Sequence, residues 1–378
     1  MAQPLYIFHV ITGTMVGGAE NHLVTLVRGS DPNRLRHFVV GLGPEGPMAG
    51  RMRDGGAQVV SLGLAPGPGA LVKGLPALVR LLRRQRPQLI QTWMYHADLL
   101  GLLAGELLRL PVVWSLQCSD LEAINLKPLT RRIITAAALL SRRPRAILAN
   151  SQAGLEHHAA RGYHRPRLQV VRNGFDTTVF RPDEAARQAV RAELGLGPAD
   201  VLVLCVARYD PVKNHAGLLE AWAQIAPQHP RAHLLLIGRE ITPDNPALAA
   251  ALAPPLAGRV RLAGERSDIP RWLAAGDLHV SASFSEGLSN TVGEAMAAGL
   301  PNLVTDAGDS AVLVGDTGRV VPPGDPAALA GDLGELLTLD PAARRALGQA
   351  ARQRIQDEFS LAAMMDAFEE VYRRHARP

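Results

Sequence analysis

Two glutamates, Glu286 and Glu294, stand eight positions apart in residues 285–301, SEGLSNTVGEAMAAGLP, on either side of a helix-start signature. The preceding LHVSAS, residues 278–283, is apolar enough for a buried strand. Glu286 and Gly287 then fall in a loop, and TVGEAMAA carries helix formers closed by Gly299 and Pro301. Ser289 or Asn290 is the expected N-cap. A helix beginning there turns the N–H groups of Gly287, Leu288, Ser289, Asn290, Thr291 and Val292 outward, with the positive end of its dipole behind them, which favours a phosphate ester. At about 1.5 Å of rise per residue plus the loop, Glu294 lies on the order of 10 Å from Glu286, comparable to a sugar diphosphate. One carboxylate can take sugar hydroxyls and the other ribose hydroxyls. Two arbitrary glutamates would more often be a loop charge and a solvated helix residue. The surroundings of this pair favour the ligand.

A second set of charges points the same way. Residues 201–222, VLVLCVARYDPVKNHAGLLEAW, read as strand, turn and amphipathic helix, with Arg208 and Lys213 in the turn at the strand's carboxyl end, where open α/β sheets bind ligands. The bland alternative is two solvated surface cations. His215 reads as a helix-start residue rather than a catalyst.

Glu286 and Glu294, with Gly287, Asn290, Ala295, Met296, Gly299 and Pro301, resemble the E-x7-E signature of the retaining glycosyltransferases of family four, whose fold type is GT-B. The likeness extends through AHLLLIGRE (232–240), VRLAGERSDIPRWLAAGD (260–277), Asn150-Ser151 with Gly162-Tyr163, and NGFDTTVF (173–180), in family order over nearly the whole chain. The resemblance implies that Arg208 and Lys213 grip the donor diphosphate, and that Gly238 belongs to the donor site. It also implies that Glu265 and Arg266, after Gly264, make backbone contacts to the base. In ITGTMVGGAENHL (11–23), Gly17 and Gly18 resemble the family's glycine turn, where missing Cβ atoms let backbone approach the donor sugar and phosphate. A dinucleotide-binding reading is poor, because Gly13, Gly17 and Gly18 do not form G-x-G-x-x-G and HFVVGLG ends without an acid.

In LIQTWMYHADLLG (89–101), a strand ends at Met94 and a helix begins near Ala97, which would put His96 at the mouth of an interdomain cleft. Related enzymes touch the donor sugar with a histidine after this strand, but its commoner position aligns with Trp93 here. His96 serves instead, or merely caps the helix. Asp98 is expected to be a first-turn helix charge. Ser119-Asp120 either faces the acceptor or makes a plain turn.

These residues need a scaffold, and 378 residues with 47% apolar content can bury two cores. Apolar runs recur with interleaved helical stretches: LYIFHVIT, HFVVGLG, QVVSLG, LIQTWM, PVVWSLQ, AILANS and LQVV before residue 173, then VLVLCVA, AHLLLIG, VRLAG, LHVSAS and PNLVT after 200. They imply parallel sheets in an α/β fold. The resemblance makes this GT-B: two Rossmann-like domains whose parallel sheets face across a deep cleft, with a C-terminal helix crossing back to the first domain. We expect an acceptor domain over residues 1–178 joined by a crossing helix in 361–378, a donor domain over 179–360, and a hinge in the polar segment 180–200.

Cys118 and Cys205 sit in or beside predicted strands, so buried free thiols are expected rather than a disulfide or metal pair. MAQPLYIFHV lacks a basic n-region, and no apolar run reaches the roughly 18 residues of a membrane span, so a cytoplasmic protein is expected. Residues 1–180 hold 21 basic against 10 acidic residues and the remainder 19 against 25. The excess gathers in LVKGLPALVRLLRRQRPQ (71–88) and in 127–145, suiting peripheral contact with an anionic membrane or a lipid-pyrophosphate acceptor, or else forming solvated basic faces. With 4% aromatics and no recognition motif, nucleic acid is not an expected partner.

The expected function is retaining transfer of a sugar from a nucleotide-sugar, a UDP-sugar first and GDP-mannose second, to a glycan or lipid-linked acceptor in cell-surface polysaccharide or glycolipid synthesis. No cofactor or metal is expected. No nucleophilic carboxylate is placed on the sugar's opposite face, so the family's same-face displacement is preferred to a glycosidase-like pair. A GT-B epimerase and a non-catalytic sugar-binding protein are the alternatives.

Overall fold

The computed structural model describes residues 3–65, 67–117, 128–252, 256 and 258–377. Among them the backbone divides into two compact units, the first holding residues 1–174 and 361–378 and the second Phe175–Ser360. Each is a wholly parallel sheet between helices.

In the first unit the strands are β1 (Leu5–Ile11), β2 (Leu35–Gly41), β3 (Gln58–Ser61), β4 (Leu89–Trp93), β5 (Val112–Leu116), β6 (Ala146–Ala149) and β7 (Leu168–Val170), in spatial order β3-β2-β1-β4-β5-β6-β7. The helices are α1 (Gly18–Gly29), α2 (Met48–Asp54), α3 (Pro68–Gln85), α4 (Tyr95–Leu108), α5 (Pro128–Leu140) and α6 (Gln152–Ala160). Alternate residues of β1 face opposite layers. Phe8 and Val10 pack with Leu78, Leu100 and Ile133 of α3, α4 and α5, and Ile7 and Ile11 with Leu23 and Met52 of α1 and α2. Both faces are covered, which is why the strands read as continuous apolar runs.

In the second unit β8 (Val201–Val206), β9 (Ala232–Ile237), β10 (Val260–Leu262), β11 (Leu278–Ser281), β12 (Asn302–Thr305) and β13 (Gly318–Val321) run in the order β10-β9-β8-β11-β12-β13. Its helices are α7 (Glu184–Glu193), α8 (His215–Ile225), α9 (Pro246–Ala251), α10 (Ile269–Ala275), α11 (Asn290–Ala297), α12 (Ser310–Val314), α13 (Pro326–Thr338) and α14 (Pro341–Glu358). The last helix, α15 (Leu361–His375), belongs to the first unit: Met364, Phe368, Val371 and Tyr372 join the core containing Ile7 and Trp93, and the Tyr372 hydroxyl donates to Gln91.

Two expectations need correction. The boundary between the units falls at Gly174/Phe175 rather than in segment 180–200, which lies within the second unit and carries α7, where Arg187 and Arg191 bond Asp277 at 2.6 and 2.9 Å. Of its charged residues only Arg191 is buried, and Arg181, Glu184 and Glu193 are exposed. Strand β13 escaped the periodicity because it is an edge strand burying only Val321. No described helix is long and apolar enough to cross a membrane.

Candidate functional site

Both sheets reverse their winding once, between β1 and β4 in the first unit and between β8 and β11 in the second. Loops leaving the carboxyl ends of such neighbouring strands diverge and open a crevice. Gly17 and Gly18, His96, Arg208 and Lys213, and Glu286 follow these four strands, whereas Gly238 follows β9 and Glu265 and Arg266 follow β10.

Beyond β8 the chain makes a tight turn. Asp210 Oδ1 accepts from the Val212 N–H at 3.0 Å, starting a short 3-10 turn over Pro211–Lys213, and Asp210 Oδ2 accepts from Arg208 Nε and Nη2 at 3.1 and 2.7 Å. Burial opposes ionisation of Asp210, but the Val212 N–H and the Arg208 guanidinium outweigh it and hold the carboxyl below its usual range. Asn214 then takes the left-handed conformation, φ 52°, and caps α8 by accepting from Gly217 N–H at 3.1 Å. The turn projects Lys213 so that its Nζ lies 2.7 Å from Glu286 Oε1. His215 is buried at the first position of α8, stacked on Tyr209, and desolvation lowers its pKa to about 4. It is the neutral helix-start residue expected.

Glu286 is held from the other side. Ser283 Oγ donates to the same Oε1 at 2.7 Å, Thr305 Oγ1 donates to the Ser283 carbonyl at 2.5 Å, and Phe284 N–H bonds the Val212 carbonyl at 2.8 Å, stitching the two loops together. The Lys213 and Glu286 side chains are 19% and 11% exposed. Among the described residues no group bonds Glu286 Oε2, which stays available to a ligand hydroxyl. Beneath the loop, Gly308 has φ +59°, and a Cβ there would come within 2.2 Å of the Glu286 carbonyl oxygen. Only glycine allows this approach.

Helix α11 opens at Ser289, which makes no side-chain cap bond; its hydroxyl instead faces that of Thr291 at 3.5 Å. Leu288 is buried as the anchor of the turn and Gly287 accepts from Asp309 N–H at 2.9 Å. Asn290 and Thr291 begin the helix. Glu294 follows one turn on. It keeps some solvent contact, yet the protein around it desolvates the carboxyl and pushes its pKa up to about 8, and no described residue donates to its side chain. It is therefore not the freely solvated helix residue of the bland reading.

Gly238, at the end of β9, has φ +158°, and a Cβ there would lie 2.1 Å from the Ala207 carbonyl oxygen. This lets the β9 loop lie against the loop bearing Arg208, and Tyr209 N–H bonds the Arg239 carbonyl at 2.8 Å. Gly238 N–H in turn bonds the Gly264 carbonyl at 2.8 Å, tying in the loop with Glu265 and Arg266. Both are exposed, and the Arg266 guanidinium sits 4.8 Å from the Trp272 ring centroid.

In the first unit, Gly17 and Gly18 join β1 to α1 with Gly17 extended. The steric expectation splits between them: the Glu20 carboxylate occupies the space where a Gly17 Cβ would stand, while that of Gly18 is open. His96 is the second residue of α4, half-buried, and desolvation lowers its pKa. It follows Met94, whose φ of 71° marks a strained strand-to-helix junction. The helix begins at Tyr95, two residues before the position expected. Asp98 is no solvated helix charge: it is fully buried, accepts from Thr92 Oγ1 at 2.5 Å, and burial raises its pKa to about 8. Trp93 lies in the core and donates to His9 Nδ1 at 3.2 Å. Cys118, Ser119 and Asp120 lie outside the described residues. Cys205 is a buried free thiol, its pKa pushed up to about 12 by desolvation.

Sequence reading missed Ser283, Asp210 and Gly308. Asp210 had a signal, standing before Pro211 where an Asx turn starts. Gly308 had none, since its contact comes from another segment, and Ser283, though only three residues before Glu286, belongs to no motif that marks it. A cavity of about 1020 Å³ opens elsewhere, among Tyr6, Arg36, His37 and Gln88 of the first unit, and contains none of the expected site residues.

The model for "Glycosyl transferases group 1" matches residues 200–339, and that for "Glycosyltransferase Family 4" matches residues 16–179. The chain is 31% identical over 210 residues, 54% of its length and 58% of the relative's, to the lipopolysaccharide core biosynthesis mannosyltransferase LpcC of Rhizobium leguminosarum bv. viciae. It is 31% identical over 229 residues, 58% of its length and 51% of the relative's, to the D-inositol 3-phosphate glycosyltransferase of Rhodococcus erythropolis. The chain thus spans about half the length of the curated relatives it matches. Anabaena HepE in complex with UDP superposes with a TM-score of 0.84 at 23% identity, covering 98% of this chain and 100% of that one. Sucrose-phosphate synthase from Thermosynechococcus elongatus gives 0.78 at 19%, covering 98% of each. These two likenesses establish a shared fold.

Proposed function

Because the chain belongs to the family-four glycosyl transferases and has the GT-B fold, we propose that it moves a sugar from a nucleotide-sugar to a glycan or lipid-linked acceptor with retention of anomeric configuration. The observation that carries this reading is the triad of Lys213, Glu286 and Ser283 at the β8/β11 switch point, beside the start of α11. Lys213 neutralises Glu286 and is poised to meet a diphosphate; Ser283 fixes the carboxylate, leaving Oε2 for a sugar hydroxyl. Glu294 suits the ribose hydroxyls. Arg208 and the α11 amides add positive potential where the leaving group acquires charge.

In this mechanism the bond from the anomeric carbon to the diphosphate oxygen breaks, and the acceptor oxygen bonds that carbon on the same face. The acceptor's proton passes to the departing phosphate oxygen. Arg208, Lys213 and the helix amides supply the charge stabilisation, and no metal is assigned a role. UDP-sugars are the first candidate donors, in keeping with the UDP and UDP-glucose held by the Anabaena HepE structures. GDP-mannose is second, since one relative is named a mannosyltransferase.

Thermal-shift screening with UDP, GDP and their sugars, followed by transfer of labelled sugar and assignment of the product anomer, tests the proposal. A nucleoside diphosphate should raise the melting temperature and the product should keep the donor's configuration. An inverted product, or stabilisation by no nucleotide, refutes it.

A further inference from the structure

Helices α3, α4 and α5 form one layer, with α4 packed between its neighbours and their inner residues buried against the first sheet. Their outer residues combine two features. Leu103 and Leu107, one turn apart on α4, are 46% and 65% exposed, and Leu139 at the end of α5 is 80% exposed. Around them stand exposed Lys73, Arg80, Arg83 and Arg84 on α3, Arg131 and Arg132 on α5, and Arg142 and Arg143 just beyond it. Over the described residues of these helices and the turn after α5, acidic residues amount to Asp98, which is buried, and Glu106, which Arg143 engages at 3.3 Å. That ion pair brings the end of α5 to the exposed edge of α4, beside Leu107.

We propose that the outer face of α3, α4 and α5 seats this protein on an anionic phospholipid bilayer. Among the described residues, Arg143 alone of these cations meets a carboxylate, so the complementary surface is anionic. The protruding leucines need an apolar phase at the same depth, and a bilayer presents both over a plane. A soluble polyanion would satisfy the arginines and leave Leu107 and Leu139 in water. This contact is independent of the transfer reaction.

The test is co-sedimentation of the full chain with phosphatidylcholine vesicles, with and without phosphatidylglycerol, at low and high salt. Binding is expected only with phosphatidylglycerol and should weaken with salt. Arg84→Gln and Arg142→Gln should each lower the partition coefficient about fivefold. The charge-neutral double substitution Leu107→Gln/Leu139→Gln should lower it about tenfold or more. Circular dichroism confirms the fold of each variant, and Arg231→Gln/Arg345→Gln, exposed in the second unit, is the control for net charge and should bind as the parent does. Equal binding to neutral vesicles, equal loss in the control, no effect of the leucine pair, or retention on an RNA oligonucleotide without vesicle binding would each overturn the proposal.

Discussion

Replacing Lys213 separates the stability of the site from its chemistry. Lys213 and Glu286 meet at 2.7 Å with side chains only 19% and 11% exposed, so Lys213→Met strands a largely buried carboxylate. Fully buried pairs lose about 3–5 kcal/mol when one partner is removed; here residual solvent access and the Ser283 bond reduce the loss to about 2–3 kcal/mol. At about 2–4 °C per kcal/mol for a domain of this size, melting of the second unit should fall by roughly 4–12 °C. The double variant Lys213→Met/Glu286→Gln removes both charges and should recover most of that loss. Turnover should behave differently. Losing a preorganised charge from the departing diphosphate costs on the order of 100- to 1000-fold in kcat, and the double variant should stay as inactive as the single one despite its recovered stability. Calorimetry and nucleoside-diphosphate release at saturating donor measure the two quantities. If activity returns together with stability, or Lys213→Met turns over within about threefold of the parent, the pair is structural and the mechanism is wrong.

Ser283→Ala removes a charge-assisted bond of about 1.5–3 kcal/mol from Glu286 and should lower kcat about tenfold or more with little change in donor KM; an unchanged kcat would show that Glu286 is oriented by other groups. Gly308→Ala would drive a Cβ to 2.2 Å from the Glu286 carbonyl oxygen, so nucleoside-diphosphate affinity should fall by calorimetry, and an unaltered affinity would place the ligand away from this loop. Burial raises the Glu294 pKa from 4.5 to about 8. The folded state therefore keeps a proton that the unfolded state releases, and the carboxyl erodes stability as pH rises from about 4.5 to about 8. Melting curves of Glu294→Gln should gain on the parent across that window, and parallel pH profiles would contradict the assigned burial. Asp98→Asn should act in the same direction in the first unit, where burial takes the carboxyl from 3.8 to about 8.

Much of the fold could be read before any coordinates. The seven apolar runs ahead of residue 173 became β1 to β7 and the five after residue 200 became β8 to β12; away from the edge strands β3, β7 and β10, strands buried on both faces must be apolar throughout. What failed was exposed or paired at a distance. Strand β13 buries one residue, and α7 looked like a linker because its arginines find Asp277 some 90 positions away. In the site, Glu286, Lys213 and the start of α11 announced themselves through turn, cap and charge signals that act over a few residues. Ser283, Gly308 and the burial of Glu294 did not.

The chain's own chemistry determined which charged groups it places at the strand ends: two basic side chains after one strand, and two carboxylates flanking a helix start after another. Packing decided their partners and protonation. Residues 73 positions apart became an ion pair at 2.7 Å once β8 and β11 lay side by side. A carboxyl that a helical wheel would leave in water acquired a pKa near 8 because the protein packed around it desolvates it, although some solvent contact remains. Local propensities act through bonds and rotamers within a turn or two and are visible in sequence, whereas desolvation and salt bridging depend on distances that only the closed core sets.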